Sequence, residues 1–231
     1  MAKRFYKDVT VEAGESGYVV LLDGRQLKTP GKKSLNLPTQ GLAQLIAAEW
    51  DAQVDEINPA IMPITRLANV ALERTPDHRD DIVLEARNYA GTDLLCYRAP
   101  DPADLTQRQI TQWGPWLEWA KARGVDLTAV TGIVAVEQAE GSLDAVADYA
   151  RNLSDIDLTL FVHFTAVFGS AILGMAVMEG ALSAEDAFEL SRLDEAYQIE
   201  AWGVDDEAKI RTDNIRAELL ALAEILNVRE T

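Results

Sequence analysis

Residues 18–29 read YVVLLDGRQLKT, and residues 39–53 read TQGLAQLIAAEWDAQ. The first stretch holds two strand-like runs on either side of Asp23-Gly24. That dipeptide tolerates the positive φ angles of a type I′ hairpin turn. Upstream, DVTVE (8–12) alternates; downstream, TPGKKS (29–34) reads as a second turn and LNL (35–37) as a short strand. The second stretch changes period. Leu42, Leu45, Ile46, Glu49 and Trp50 fall on one helical face, with Thr39 placed to cap it. An antiparallel meander followed by a helix makes a small two-layer unit.

Beyond this unit, INPAIMPIT (57–65) carries two prolines and predicts an extended linker. Nearly everything after it has helical periodicity. The segments are DHRDDIVLEARNYAG (77–91), DPADLTQRQITQW (101–113), PWLEWAKARG (115–124), SLDAVADYARNL (142–153), SAEDAFELSRLDEAYQIEAWG (183–203) and DEAKIRTDNIRAELLALAEIL (206–226). Gly114-Pro115 predicts a break or kink, and the β-branched VDLTAVTGIVAVE (125–137) an extended segment. The expected fold class is therefore α+β: an N-terminal domain over residues 1–65 with a small antiparallel sheet and a packed helix, then a larger all-helical bundle over 66–231.

Composition narrows the function. The chain has 231 residues and a formal net charge of −17. The excess is local: residues 1–75 hold 9 basic and 9 acidic residues, and the remainder 12 and 29. Such a surface repels phosphates and anionic lipid, so neither nucleic acid nor a membrane is an expected partner. Cys96 is the single cysteine, which excludes an internal disulfide and a thiolate zinc cluster and suits a reducing compartment. No apolar signal segment follows Met1, so a cytoplasmic protein is expected. Residues 158–178 form 21 positions without Asp, Glu, Lys or Arg. Acidic flanks, His163, Gly169 and Gly174 favour a buried bundle helix over a membrane span. His163 is expected to be a neutral core histidine.

No phosphate loop, dinucleotide fingerprint, zinc-protease motif or nucleophile elbow occurs, and no metal or cofactor is expected. The 38 acidic residues leave room for a carboxylate pair in a cleft between the domains, which is the enzymatic alternative. Interest centres on residues 183–203. Ser183 with Asp186 resembles a capping box, and Gly203 a helix end. Treated as one helix, the segment puts Phe188, Glu195, Ile199 and Trp202 on a narrow stripe. Glu195 then has three possible fates: pairing with Arg192, burial for catalysis, or a place on an apolar surface that another protein covers.

The segments RFYKDVTV (4–11), VLLDGRQLKTP (20–30), LNLPTQGLAQLIAAEWDAQ (35–53), MPITRLANVAL (62–72), YAGTDLLCYRA (89–99), RQITQWGPWLEWA (108–120), GSAILG (169–174) and SRLDEAYQIEAWG (191–203) occur in one order. In that order the chain resembles the assembly chaperones of the ATP synthase alpha subunit, the mitochondrial assembly factor 2 family. The start at the family core implies a bacterial member. The resemblance implies a non-enzymatic task, holding the unassembled alpha subunit until beta takes its place, by a protein that is monomeric when free. It maps the family's acidic position onto Glu195, with Tyr197, Gln198, Trp202 and Gly203 matching the surrounding motif. Stripe and motif together give a partner-binding set of Glu195, Phe188, Ile199, Trp202 and Gln198. Trp50 matches the family's N-terminal helix, where packing is its expected role.

Overall fold

The computed structural model describes residues 2–229. The chain divides into two compact units, residues 1–77 with 220–231, and residues 78–219.

In the first unit, β1 (Ala2–Lys3) pairs antiparallel with β5 (Glu56–Ile57). A three-stranded antiparallel sheet is formed by β2 (Val9–Gly14), β3 (Gly17–Leu22) and β4 (Arg25–Gln26), in that order. Asp23 and Gly24 have φ of 49° and 76°, as a type I′ turn demands, and Leu22 pairs with Arg25 across it. The fourth strand-like run, 35–37, contributes only a bridge from Leu37 to Tyr18.

Helix α1 (Gln40–Asp51) packs on β2 and β3, burying Leu42, Ala43 and Ile46 against Val20 and Leu22. Thr39 caps it, its side chain accepting from Leu42 N. Tyr6 donates its hydroxyl hydrogen to the Trp50 carbonyl at 2.7 Å, and their rings lie 5.7 Å apart. Trp50 thus has packing work within this unit.

The expected boundary at 65/66 falls inside α2 (Pro63–Glu73), and the first unit runs on to Asp77. Proline was the misleading signal. Pro63 stands in the first turn, where a missing N–H costs nothing and a fixed φ favours the helix. The cap comes from another helix. The Glu49 carboxylate accepts from Ile64 N at 2.8 Å, Thr65 N at 2.7 Å and Thr65 Oγ1 at 2.6 Å. Burial raises its pKa, although those three hydrogen bonds oppose the shift.

The second unit contains α3 (Arg79–Gly91), α4 (Ala103–Lys121), α5 (Glu140–Arg151), α6 (Asp155–Phe168), α7 (Ala171–Met178), α8 (Ala184–Ser191) and α9 (Leu193–Trp202). It also holds most of α10 (Asp206–Asn227) and a short parallel pair, β6 (Tyr97–Arg98) with β7 (Val130–Thr131). Helix α4 continues through Pro115 despite the expected break. Trp113, two residues before, is fully buried and donates Nε1–H to the Leu190 carbonyl at 2.9 Å.

The apolar run 158–178 is two helices rather than one. Gly169 takes φ 65° at the end of α6, and Ser170 starts α7 by accepting from Leu173 N. Left-handed backbone is inexpensive only without a Cβ, so this glycine reverses the chain. Both helices are buried, around Phe161, Phe164, Phe168 and Ile172. No helix among the described residues is long and apolar enough to cross a membrane. His163 is half-buried beside Phe164, not a core residue.

Gly174 lets α6 and α7 meet. A Cβ there would stand 2.7 Å from Thr165 Oγ1 and 3.2 Å from Phe161, both fully buried side chains. Gly174→Val should therefore lower unfolding free energy by about 2–3 kcal/mol, despite the helix propensity gained over glycine. Gly141→Ala, in open space on α5, should be neutral or stabilising by up to ~1 kcal/mol. Urea denaturation of both variants makes the comparison. Equal effects would remove the close-approach explanation.

Candidate protein-binding site

The segment 183–203 is not one helix. The Ser183 hydroxyl accepts from Asp186 N at 3.0 Å and donates to Asp186 Oδ2 at 2.7 Å, so Ser183 caps the helix as expected, with Asp186 holding its hydroxyl rather than closing a capping box. Helix α8 ends at Ser191, and Arg192 breaks the chain with φ −109° and ψ 19°. The break shifts the helical phase. Phe188, expected on the exposed stripe, is 4% exposed and belongs to the core. The other four residues of the expected set all lie on α9.

One face of α9 is held by α4 through polar contacts. Asp194 accepts from Gln109 Nε2 at 2.7 Å, and Gln109 is fully buried. Tyr197 donates its hydroxyl hydrogen to the Asp104 carboxylate at 3.0 Å. That hydrogen bond, with burial, raises the Tyr197 pKa. Glu200 accepts from Arg108 at 2.8 and 2.9 Å, while the Arg108 guanidinium lies 5.2 Å from the Tyr197 ring centre. Leu193 is buried on the same side.

At 100° per residue, Glu195, Gln198, Ile199 and Trp202 take the opposite face. All four are exposed, Ile199 by 46% and Trp202 by 81%. Residues 198–214 form an unbroken exposed stretch that adds Val204 and Ile210 to the apolar set. Sequence reasoning missed these two. Val204 precedes Asp205 and Asp206, and Ile210 stands between Lys209 and Arg211, a lone apolar residue among charges in each case, which a solvated helix shares.

Glu195 follows the first of its three fates while staying accessible. Its carboxylate is 3.2 Å from Arg192 Nη1, and its side chain is 54% exposed. Arg192 Nη2 also donates to the Val167 carbonyl at 3.0 Å, in the last turn of α6. A cleft of about 450 Å³ opens here, lined by Leu94, Val167, Gly169, Arg192, Glu195 and Gln198 among others. Among the described residues no group of three or more His, Cys, Asp or Glu is arranged to hold a metal.

The profile of the family described as ATP12 chaperone protein matches residues 3–121. The chain is 26% identical to the mitochondrial protein atp12 of Schizosaccharomyces pombe over 235 aligned residues, covering 96% of this chain and 81% of the relative. Crystallised Atp12 of Paracoccus denitrificans, native and as a point mutant, is 37% identical. It superposes with a TM-score of 0.92 over 98% of this chain and 97% of that one. The Atu1473 protein of Agrobacterium tumefaciens is 38% identical, with a TM-score of 0.93 over 99% and 86%. The shared fold spans both units, and the family profile covers more than half of the residues. This chain, an α+β protein with an exposed apolar helical face and the work of a chaperone rather than an enzyme, belongs to the ATP12 chaperone protein family.

Proposed function

We propose that the protein holds the unassembled alpha subunit of ATP synthase on the outer face of α9 until the beta subunit replaces it. The observation carrying this reading is Trp202, 81% exposed beside Ile199 and Glu195 on a helix whose other face is already engaged. An orphan subunit exposes an apolar surface meant for its neighbour, and such surface aggregates. Covering it with an apolar strip removes that hazard. Glu195 then meets a polar or basic group, and the acidic envelope discourages wrong partners. Release follows from the larger, better-packed interface that beta forms. The protein acts as a monomer in the cytoplasm, where a lone, buried Cys96 is at ease. Neither nucleic acid nor a membrane takes part.

The test is co-purification and aggregation suppression of alpha by wild type and by Glu195→Lys. The charge reversal should weaken capture roughly tenfold to hundredfold while leaving the fold intact. Full activity in the folded variant removes Glu195 from the site. Failure of wild type to suppress aggregation removes the function. Salt-sensitive binding of any basic protein would make it a general acidic adaptor instead.

A further inference from the structure

We infer that the cleft between α9 and the end of α6 receives one arginine side chain from the docked protein, and that Arg192 occupies this seat beforehand. The inference rests on the docking face proposed above and names what the client must present there. Three observations carry it.

The cleft has a volume of about 450 Å³ and opens directly beside Glu195 and Gln198 on the exposed face of α9. Its ionisable lining is two carboxylates, Asp194 and Glu195, against the single guanidinium of Arg192. The carbonyl ends of α6 add negative partial charge, since a helix C-terminus favours cations.

The second observation is the seat's present occupant. The Arg192 guanidinium reaches the Val167 carbonyl with one nitrogen and the Glu195 carboxylate with another. It also lies 5.4 Å from the Phe188 ring centre. A carbonyl, a carboxylate and an aromatic ring suit a flat, forked donor better than a compact ammonium. The third observation is accessibility. The Arg192 side chain is 31% exposed and Glu195 54%, so a screened surface pair holds the seat, and such a pair exchanges readily. A client arginine would take over the Val167 and Glu195 contacts while Arg192 swings into solvent.

The test uses the full chain and N-acetyl-arginine amide as the probe, followed by the amide NMR signals of Leu94, Val167 and Gln198. Arg192→Ala should bind the probe about fivefold more tightly than wild type, because the internal competitor is gone. Adding Glu195→Gln in that background should abolish the gain, and the neutral citrulline analogue should shift none of these signals. Arg192→Gln, which keeps the side-chain stem, serves should the alanine variant unfold. Equal affinity of wild type and both Arg192 variants overturns the inference, as does an equal response to citrulline. Capture of the alpha subunit is measured on the same samples. Probe binding as expected without alpha capture by wild type supports the arginine seat and removes alpha as its source. Capture without probe binding overturns the seat alone.

Discussion

Ile199→Asp combined with Trp202→Asp should abolish capture of the alpha subunit and leave the folded chaperone otherwise unchanged. Both side chains face solvent, so their replacement removes little internal packing. Surface substitutions of this kind stay within about 0.5 kcal/mol of wild-type stability. The polar ladder from α4 to Asp194, Tyr197 and Glu200 remains and continues to hold α9. At an interface, by contrast, a buried tryptophan is a common hot spot worth about 2–4 kcal/mol, and an aspartate in its place must also be desolvated. The loss should exceed roughly thirtyfold in affinity. Calorimetric titration with alpha, alongside a thermal melt of the variant alone, separates the two effects. Undiminished capture by a variant that melts like wild type would show that alpha docks elsewhere.

The largest effect on stability should come from Asp93→Ala. Asp93 is fully buried, and its carboxylate accepts from Leu95 N at 3.0 Å and Ile172 N at 3.2 Å. Ser170 and the Ala171 backbone also hydrogen-bond to it. It therefore ties the turn at residues 94–96 to the first turn of α7. Leu94 N reinforces the junction by donating to the Gly169 carbonyl at 2.9 Å. Truncation leaves several buried donors without an acceptor, at a cost of about 3–5 kcal/mol. Asparagine keeps one acceptor oxygen and should cost less.

The same residue carries a pH signature. Burial outweighs the hydrogen bonds and lifts the Asp93 pKa from 3.8 to about 6. The folded state thus binds this proton more tightly than the unfolded chain does. The resulting stability is present below the unfolded value and is lost as pH rises through about 6. Wild type should therefore lose stability relative to Asp93→Asn between about pH 4 and 6.5. Cys96 nearby stays a neutral thiol across this range, because burial first, then Asp93, pushes its pKa up to about 12. Urea titrations of the two proteins across this range make the measurement. Parallel curves would show that Asp93 does not titrate there.

Much of this fold follows from short-range rules. The positive φ at Asp23-Gly24 and the Thr39 and Ser183 caps depend on contacts within a few residues, so local pattern reveals them, and the change from strand to helix period after residue 39 marks the two layers of the N-terminal unit. The acid on α9 and its apolar neighbours Ile199 and Trp202 were also legible, because helical phase holds over ten residues. Phase fails at a break. Nothing in SRLDE announces that Arg192 leaves the helix, because the cause lies in distant partners: Gln109, Asp104 and Arg108 pull α9 onto α4. Gly169 in an all-apolar run was ambiguous in the same way, and Pro63 looked like a linker until Glu49 was seen to cap its helix.

Periodicity and turn chemistry therefore settle that a small antiparallel sheet with one packed helix precedes a helical chain, but not where its helices break. Long-range packing settles which side chains those elements leave outside. Phe188 and Trp202 are equally apolar on paper, yet one is sealed and the other open. Exposure depends on neighbours remote along the chain, and no local pattern encodes them.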